Sequence, residues 1–166
     1  MTTILITLKY LGMVLVFVSC TVAGSLLATS EKRRLERSEA LKALLSHITR
    51  EIEHFRTPLD TVFASFANEA LEKTGFLRDL RENSLSHALL KSGNIFAYSE
   101  DTFAAIINFS ELLGKSEYND QVARCKHMLS VLEEDLKKRR EEYPKNKKMY
   151  TSLGVLSGLM IIVLFM

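Results

Sequence analysis

VARCKHMLSVLEEDL, residues 122–136, decides how this chain folds, because its apolar side chains recur at alternating spacings of three and four residues. Such a seam lies along one side of an α-helix and requires a partner helix. The seam consists of Val122, Cys125, Leu129, Leu132 and Leu136. A second stretch, LKALLSHITREIEHF (residues 41–55), also has apolar residues at helical spacing: Leu41, Leu44, Leu45, Ile48, Ile52 and Phe55. No segment alternates with the period of a strand, so the predicted fold class is all-α. We expect the two helices to lie antiparallel, with shorter helices capping them.

Both ends of the chain are apolar enough to cross a membrane. Residues 4–28 carry a single charge, Lys9, and residues 149–166 carry none. A helix needs about 20 apolar residues to cross the hydrocarbon layer, and about 17 as a minimum. The predicted domains are therefore an N-terminal transmembrane helix over 1–28, a helical bundle over 29–148 and a C-terminal transmembrane helix over 149–166.

A cleaved lipoprotein signal that ends before Cys20 is the alternative interpretation of the first apolar stretch. Such a signal has a basic segment before its apolar core and small residues before the cleavage point. Here the large Phe17 stands near that point, and the basic cluster EKRRLER (residues 31–37) follows the apolar run. These residues favour a retained span. The second cysteine, Cys125, lies in a helical pattern, and two such thiols indicate no disulfide framework.

Charge is distributed in three blocks that predict the orientation of the protein. Residues 29–50 and 137–148 are basic, with net charges of +3 and +5, whereas residues 51–136 hold eight basic and fifteen acidic side chains. Lys and Arg near the ends of spans are retained in the cytoplasm, so both termini should face away from it and the bundle should be cytoplasmic. The basic blocks should contact anionic membrane lipids. The acidic block offers no basic face for nucleic acid. It instead supplies the candidate residues for binding a protein partner: Glu69, Glu72, Asp79 and Glu82.

Helix-capping signals place the shorter helices. Residues 57–75 predict a helix with Thr57 as N-cap, Pro58 at its first position and Asp60 in a capping box. Its apolar face and its terminating glycine are Leu59, Val62, Phe63, Phe66, Ala70, Leu71 and Gly75. A further helix is expected over residues 76–90, with a break within RENSLS (residues 81–86), and another after Ser99 as its cap. Gly114 suits the left-handed position that follows that helix. Asn119 or Asp120 should cap the last helix.

Gly114-Lys115-Ser116 resembles the end of a phosphate-binding loop. That loop requires a glycine five positions before Gly114 and a strand ahead of it, so that backbone N–H groups surround the phosphates. Phe109 occupies that position, and a helix precedes the stretch. The three residues are therefore interpreted as the end of one helix and the approach to the next, with no nucleotide or other small-molecule substrate.

Three other groups of residues could carry chemistry. His47, Glu51 and His54 lie at spacings of four and three and form a candidate Zn²⁺ set for a metal-dependent enzyme. The alternative is a solvated stripe beside Ile48, Ile52 and Phe55, and no fourth ligand is indicated. The carboxylates of residues 133–135 flank the seam and are typical of a solvated helix face. Cys125 lies on the seam, where burial makes a thiol inert. We therefore predict no catalytic residue, no metal and no cofactor.

Three stretches resemble the stage III sporulation protein AB family. EIEHFRTPLDTVF (residues 51–63) is similar to its helix followed by a Thr-Pro-Leu turn, here Thr57, Pro58 and Leu59. LGKSEYNDQ (residues 113–121) fits its Leu-Gly-x-Ser-Asp-x-x-x-Gln pattern, with Glu117 in place of the usual Asp. The residues that carry this second likeness are Leu113, Gly114, Ser116 and Gln121. KNKKMYTSLGVLSGLMIIVLFM (residues 145–166) looks like its basic turn and final span, with Gly154 and Gly158 at the matching positions.

The resemblance implies a non-enzymatic membrane component of the secretion-like complex between mother cell and forespore. Its bundle would be similar to the cytoplasmic domains of the platform protein of type II secretion and type IV pili. The implied partners are a secretion-type ATPase and other membrane components of that complex, and the implied location is the mother-cell side of the outer forespore membrane. A membrane-anchored helical sensor or adaptor remains an alternative, although few residues lie outside the membrane to sense a signal.

Overall fold

The computed structural model describes the backbone of residues 2–115 and 117–165 and the side chains of residues 11–115 and 117–164. Along the chain, two long helices, α1 (Thr2–Arg50) and α7 (Tyr118–Phe165), precede and follow five shorter α-helices. These are α2 (Leu59–Ser65), α3 (Glu69–Glu72), α4 (Phe76–Glu82), α5 (Leu85–Ser92) and α6 (Glu100–Leu112). A π-helical turn, Glu51–Phe55, follows α1, and a 3₁₀ turn, Gly93–Ile95, follows α5. The described residues include no strand, and the predicted all-α class is confirmed.

The chain divides into two compact units. The first, which we call the span unit, comprises Met1–Arg33 and Glu141–Met166, and the second, the core unit, comprises Arg34–Arg140. The predicted boundaries at 28/29 and 148/149 mark apolar stretches rather than these units, and they stay predictions.

The span unit holds two helices that are long and apolar enough to cross a membrane. They approach each other through glycines. A Cβ atom added at Gly154 would lie 2.9 Å from the carbonyl oxygen of Cys20, and one added at Gly24 would lie 2.8 Å from that of Tyr150. Large apolar side chains of both helices point outward and are exposed, among them Leu15, Leu26, Leu156 and Met160. Small residues at the helix contact and large apolar ones outside are the pattern that helices packed in lipid show.

The core unit is organised by the two predicted seams, which pack in antiparallel fashion. Leu44, Ile48, Cys125 and Leu132 are fully buried in one apolar core. Ion pairs flank this contact: Lys42 Nζ lies 2.8 Å from Glu133 Oε1, and Glu39 Oε1 accepts from Arg140 Nε at 2.7 Å. The earlier residue of α1 pairs with the later residue of α7, so the two helices run antiparallel. The pairing of the seams is therefore as predicted. Met128 is an additional buried member, and the inclusion of Phe55 was wrong, because its side chain is 69% exposed beyond the end of α1.

The segment between α5 and α6 is fastened to α1 by polar contacts. The Arg34 guanidinium donates to the carbonyl oxygen of Phe96 at 2.7 Å, and the backbone N–H of Ala97 donates to Ser38 Oγ at 2.7 Å. The hydroxyl of Tyr98 donates to the Ser38 carbonyl at 2.6 Å, and burial raises the pKa of this phenol well above its usual range. These bonds satisfy buried polar groups beside the fully buried Phe96 ring.

The shorter helices depart from the expectations in two places and match them in two. The single helix over 57–75 is wrong, because the chain is extended at Phe66 and Asn68 caps a separate α3 through its side-chain oxygen. Thr57 is not the N-cap of α2. Pro58 takes that position, and the Thr57 hydroxyl donates to Glu51 Oε2 at 3.1 Å instead. The break before Ser84 is present, and Ser99 caps α6 as predicted.

The start of α7 also differs from the expectation. The helix begins at Tyr118, and the carbonyl of Glu117 already accepts the N–H of Gln121 at 2.9 Å. Asn119 and Asp120 therefore lie inside the first turn and are not caps. An acidic residue there is favourable, because a helix N-terminus carries partial positive charge.

Candidate docking groove

Two stretches that are distant in the sequence, residues 51–63 and 113–121, meet in the core unit at the end of the paired helices. They line a groove of about 700 Å³. One wall is the turn that follows α1, and the other is formed by residues 113–115 after α6 and by the first turn of α7. The lining residues are Ile52, Arg56, Thr57, Pro58, Leu59, Asp60, Leu113, Gly114, Lys115, Tyr118 and Gln121.

The first wall is shaped by the π-helical turn Glu51–Phe55. A π turn widens the helix by one residue and commonly marks a functional position. It ends at Arg56, whose φ of 51° places a non-glycine residue in the left-handed region. Backbone bonds hold this turn, since the N–H of Arg56 donates to Ile52 O at 3.3 Å and that of Thr57 to Glu51 O at 3.4 Å. Such a conformation persists only where the surroundings fix it.

The second wall depends on Gly114. Its φ is +82°, as predicted for a residue that follows a helix, and the N–H of Lys115 donates to Leu112 O at 3.1 Å. A Cβ added at Gly114 would lie 2.9 Å from Leu59 Cδ1. Gly114 and Leu59, one from each stretch, are therefore in direct proximity, and the glycine allows the two walls to approach.

Tyr118 connects the two walls. Its hydroxyl donates to the carbonyl oxygen of Glu53 in the π turn, and the Arg56 guanidinium lies 4.8 Å from the centre of its ring. A guanidinium over a tyrosine face is an attractive cation–π contact. The turn after α1 is thus held on the first turn of α7.

The structure brings together most of the residues that carry the resemblance to the sporulation family. Thr57, Pro58, Leu59, Gly114 and Gln121 line the groove, whereas Ser116 lies outside the described residues. Gly154 and Gly158 belong to the span unit, where a Cβ at Gly158 would meet Phe17 Cδ2 at 2.8 Å. The roles of all these residues stay predictions.

Sequence reasoning missed two contributors to the groove, Arg56 and Tyr118. No local signal marks an arginine that will take a positive φ, because Gly and Asn are the residues that usually do so. The contact between Gly154 and α1 did have a signal, since Gly154 and Gly158 form the Gly-x-x-x-Gly spacing of closely packed membrane helices.

The four candidate acidic residues lie on α3 and α4. Glu69 and Glu72 are exposed and face Lys73 and Arg81, the latter pair at 3.9 Å, and Glu82 is exposed as well. Asp79 differs, because it is buried and its Oδ1 accepts from Lys91 Nζ at 2.8 Å. This hydrogen bond lowers the pKa of the Asp79 carboxyl. Asp79 is therefore corrected from a docking residue to a buried carboxylate that pairs with the exposed Lys91.

The side chains of the candidate Zn²⁺ set do not converge on one point. His47 Nε2 lies 3.1 Å from Ser65 Oγ and its Nδ1 lies 3.1 Å from Arg50, while Glu51 accepts from Thr57. His54 stacks edge-on against Phe55 instead. Among the residues whose side chains are described, no three His, Cys, Asp or Glu side chains are arranged to hold a metal ion.

Gly114-Lys115 resembles a phosphate-binding loop in sequence only, because the two residues lie in the turn after a helix. The two residues follow Leu113, the C-cap of α6, and lie in a turn, and the described part of the chain has no strand. Cys125 is buried on the seam as predicted, and burial raises the pKa of its thiol to about 11. A thiol in that state is a poor nucleophile.

These observations define an all-helical protein with two candidate membrane spans. A family model described as stage III sporulation protein AB matches residues 9–166. The chain therefore belongs to the stage III sporulation protein AB family. It is 27% identical over 173 aligned positions to "Stage III sporulation protein AB" of Bacillus subtilis (strain 168), and the alignment covers 96% of this chain and 99% of that protein. No solved structure matches the chain.

Proposed function

We propose that this protein is a non-enzymatic membrane component of a sporulation secretion complex and that its core unit docks a cytoplasmic secretion-type ATPase. The observation that carries the proposal is the family match over residues 9–166, which includes both candidate spans. In this account the spans hold the protein in the membrane, and the antiparallel seams give the core unit a rigid frame. The mother-cell side of the outer forespore membrane is the proposed location.

The acidic side chains on α3 and α4 are the proposed contact with the ATPase. Glu69, Glu72 and Glu82 are exposed, so they are available to a basic patch on a partner. Exposed charges of this kind contribute chiefly to the association rate and to the orientation of the complex. The ion pairs that Glu69 and Glu72 make are exposed, and such pairs are weak enough to exchange partners.

The test is the affinity of the full chain, reconstituted in nanodiscs, for the purified secretion-type ATPase of the same sporulating cell. Reversal of the three exposed glutamates to lysine should weaken binding by about tenfold or more, mainly through a slower association rate. Wild-type binding should also weaken steeply as salt rises toward about 1 M, where the Debye length is about 3 Å.

The matched control reverses three exposed acids elsewhere in the core unit, Glu111, Asp120 and Glu134. Two of these are in i,i+4 ion pairs, as Glu69 is, so the control reproduces both the charge change and the loss of a local pair. Equal affinity of the wild type and the first variant, with no dependence on salt, would remove the acidic contact from the account. Failure of the ATPase to bind the wild type at all would remove the docking role.

A further inference from the structure

The groove between the two turns has a composition unlike that of the acidic surface on α3 and α4. We propose that it binds an acidic segment of a partner protein, with a carboxylate side chain at Arg56 and Lys115 and an adjoining apolar side chain on the groove floor. This site lies beyond the proposed ATPase contact, because it takes the opposite charge and uses none of the same residues.

The two cations of the groove are available for a ligand. Arg56 and Lys115 are exposed, and neither has a carboxylate within ion-pair distance in the part of the chain whose side chains are described. Nearby cations differ in this respect, since Lys126 pairs with Glu53. Asp60 is the single carboxylate among the described lining residues, and it lies in the first turn of α2, where an acidic side chain is favoured.

Arg56 is held in place before any ligand arrives. The left-handed backbone and the π turn fix its Cα, and its guanidinium lies 4.8 Å from the centre of the Tyr118 ring. A guanidinium that lies over an aromatic ring still has N–H donors that can form paired hydrogen bonds with a carboxylate. A side chain that is already ordered loses less entropy on binding.

The floor of the groove explains why the ligand is a peptide and not a small anion. Ile52 is buried, and Leu59 and Leu113 are half-buried in the lining. A free phosphate would use the cations and leave this apolar surface in water. An acidic residue beside an aliphatic or aromatic one uses both parts, and a volume of about 700 Å³ admits several side chains.

The test selects binding peptides from random sequences. A phage-displayed library of short random peptides is selected on the full chain in nanodiscs, and the enriched peptides are then measured against variants. We expect enrichment of sequences that place Asp or Glu next to a large apolar residue. Replacing that acid with Asn or Gln in an enriched peptide should weaken binding by about tenfold or more.

The protein variants are chosen so that the fold survives. Arg56→Gly removes the guanidinium and relieves the positive φ, and Lys115→Ala removes an exposed side chain, so the pair of changes should abolish the selected binding while thermal stability is kept. The matched control is Lys73→Ala with Arg78→Ala, two exposed cations outside the groove lining.

The result that overturns the proposal is enrichment of peptides without acidic residues, or binding that the Arg56→Gly/Lys115→Ala variant retains. Absence of any enriched peptide that depends on these two cations overturns it as well. Reversal of Glu69, Glu72 and Glu82 should leave peptide binding unchanged, so the outcome is independent of whether the ATPase contact holds.

Discussion

Gly114 is the residue on which the shape of the groove depends most. Its φ of +82° lies in the region that L-residues rarely adopt, and Leu59 Cδ1 occupies the space that a Cβ would enter. The side-chain end of Leu59 can move, so the backbone conformation is the larger constraint. Gly114→Ala should therefore lower the free energy of unfolding of the core unit by about 1 to 2 kcal/mol.

Cys125 supplies the measurement for that prediction. Its thiol is buried on the seam, and its pKa is raised to about 11, so it reacts with a maleimide only when the seam opens. In a Cys20→Ser background, the Cys125 thiol of the Gly114→Ala variant should react with the maleimide faster than that of the parent at the same urea concentration. Lys115→Ala, one position along the same turn, should label at the parent's rate, and the same acceleration in both variants would contradict a specific need for glycine.

The ion pair between the buried Asp79 and Lys91 should give the core unit a pH-dependent stability. The hydrogen bond from Lys91 lowers the pKa of Asp79 in the folded state, so the pair stabilises the fold above the ordinary carboxyl pKa of about 4 and is lost as the pH falls through the lowered value. Asp79→Asn should lower the thermal midpoint at about pH 7 and have a smaller effect at about pH 3.

Glu69→Gln is the control for that pH effect. Glu69 also pairs with a lysine, Lys73, but both side chains are largely exposed, and an exposed pair contributes little to stability. Thermal unfolding followed by circular dichroism at the two pH values compares the variants. If Asp79→Asn lowers the thermal midpoint by the same amount at both pH values, the carboxylate charge of Asp79 is not what stabilises the fold.

At the scale of elements, the sequence predicted what depends on periodicity and local capping. The two seams, the cap at Ser99 and the glycine after α6 all follow from residues within a few positions of each other. The break at Phe66 was missed because the apolar spacing continues across it, although Asn68 is a favoured cap residue. The π turn after α1 has no local signature, since it depends on contacts such as that of Tyr118 with the Glu53 carbonyl.

The groove could be predicted only in part. Thr57, Pro58, Leu59 and Gly114 were singled out from two separate stretches, but nothing in their spacing indicates that the stretches meet. That meeting follows from the antiparallel register of α1 and α7, which sets the turn after one helix beside the start of the other. Asp79 was misassigned because charge alone does not distinguish an exposed carboxylate from one buried against a lysine on the next helix.

The two helices of the span unit should depend on small residues at their contact. Gly154 is buried, and a side chain there would meet the backbone of Cys20, which cannot give way as the end of a side chain can. Gly154→Ile should therefore separate the two helices at a lower SDS concentration than the parent requires. Energy transfer between dyes on cysteines placed at Ser25 and Ser152, in a variant without the native cysteines, measures the separation.

Gly12→Ile is the matched control, because no atom of the residues that the structure describes lies within 4 Å of a Cβ added at Gly12. It adds the same apolar side chain to the same unit without meeting a neighbouring helix. We expect energy transfer in the Gly12→Ile variant to fall at the same SDS concentration as in the parent. Equal sensitivity of the two variants to SDS would mean that the glycine contact does not hold the helices together.

At the scale of the whole molecule, function is proposed to follow from a division between two units. The span unit exposes apolar side chains suited to lipid, and the core unit carries the acidic surface and the groove. Basic residues concentrate in residues 29–50 and 137–148, which border the apolar stretches. Because Lys and Arg near spans are retained in the cytoplasm, the core unit is proposed to be cytoplasmic and both termini to lie on the other side.

The proposed docking role requires the core unit to lie on the cytoplasmic side of the membrane, because a cytoplasmic ATPase can reach it only there. The measurement is labelling of intact cells with a membrane-impermeant maleimide, using single cysteines placed at Ser65 or at Thr2 in a chain whose Cys20 and Cys125 are replaced by serine. Ser65 is exposed in the core unit, so a failure to label reflects the membrane and not burial. We expect labelling at position 2 from outside, and labelling at position 65 only after the cells are permeabilised. Labelling at position 65 in intact cells would contradict a cytoplasmic location of the core unit.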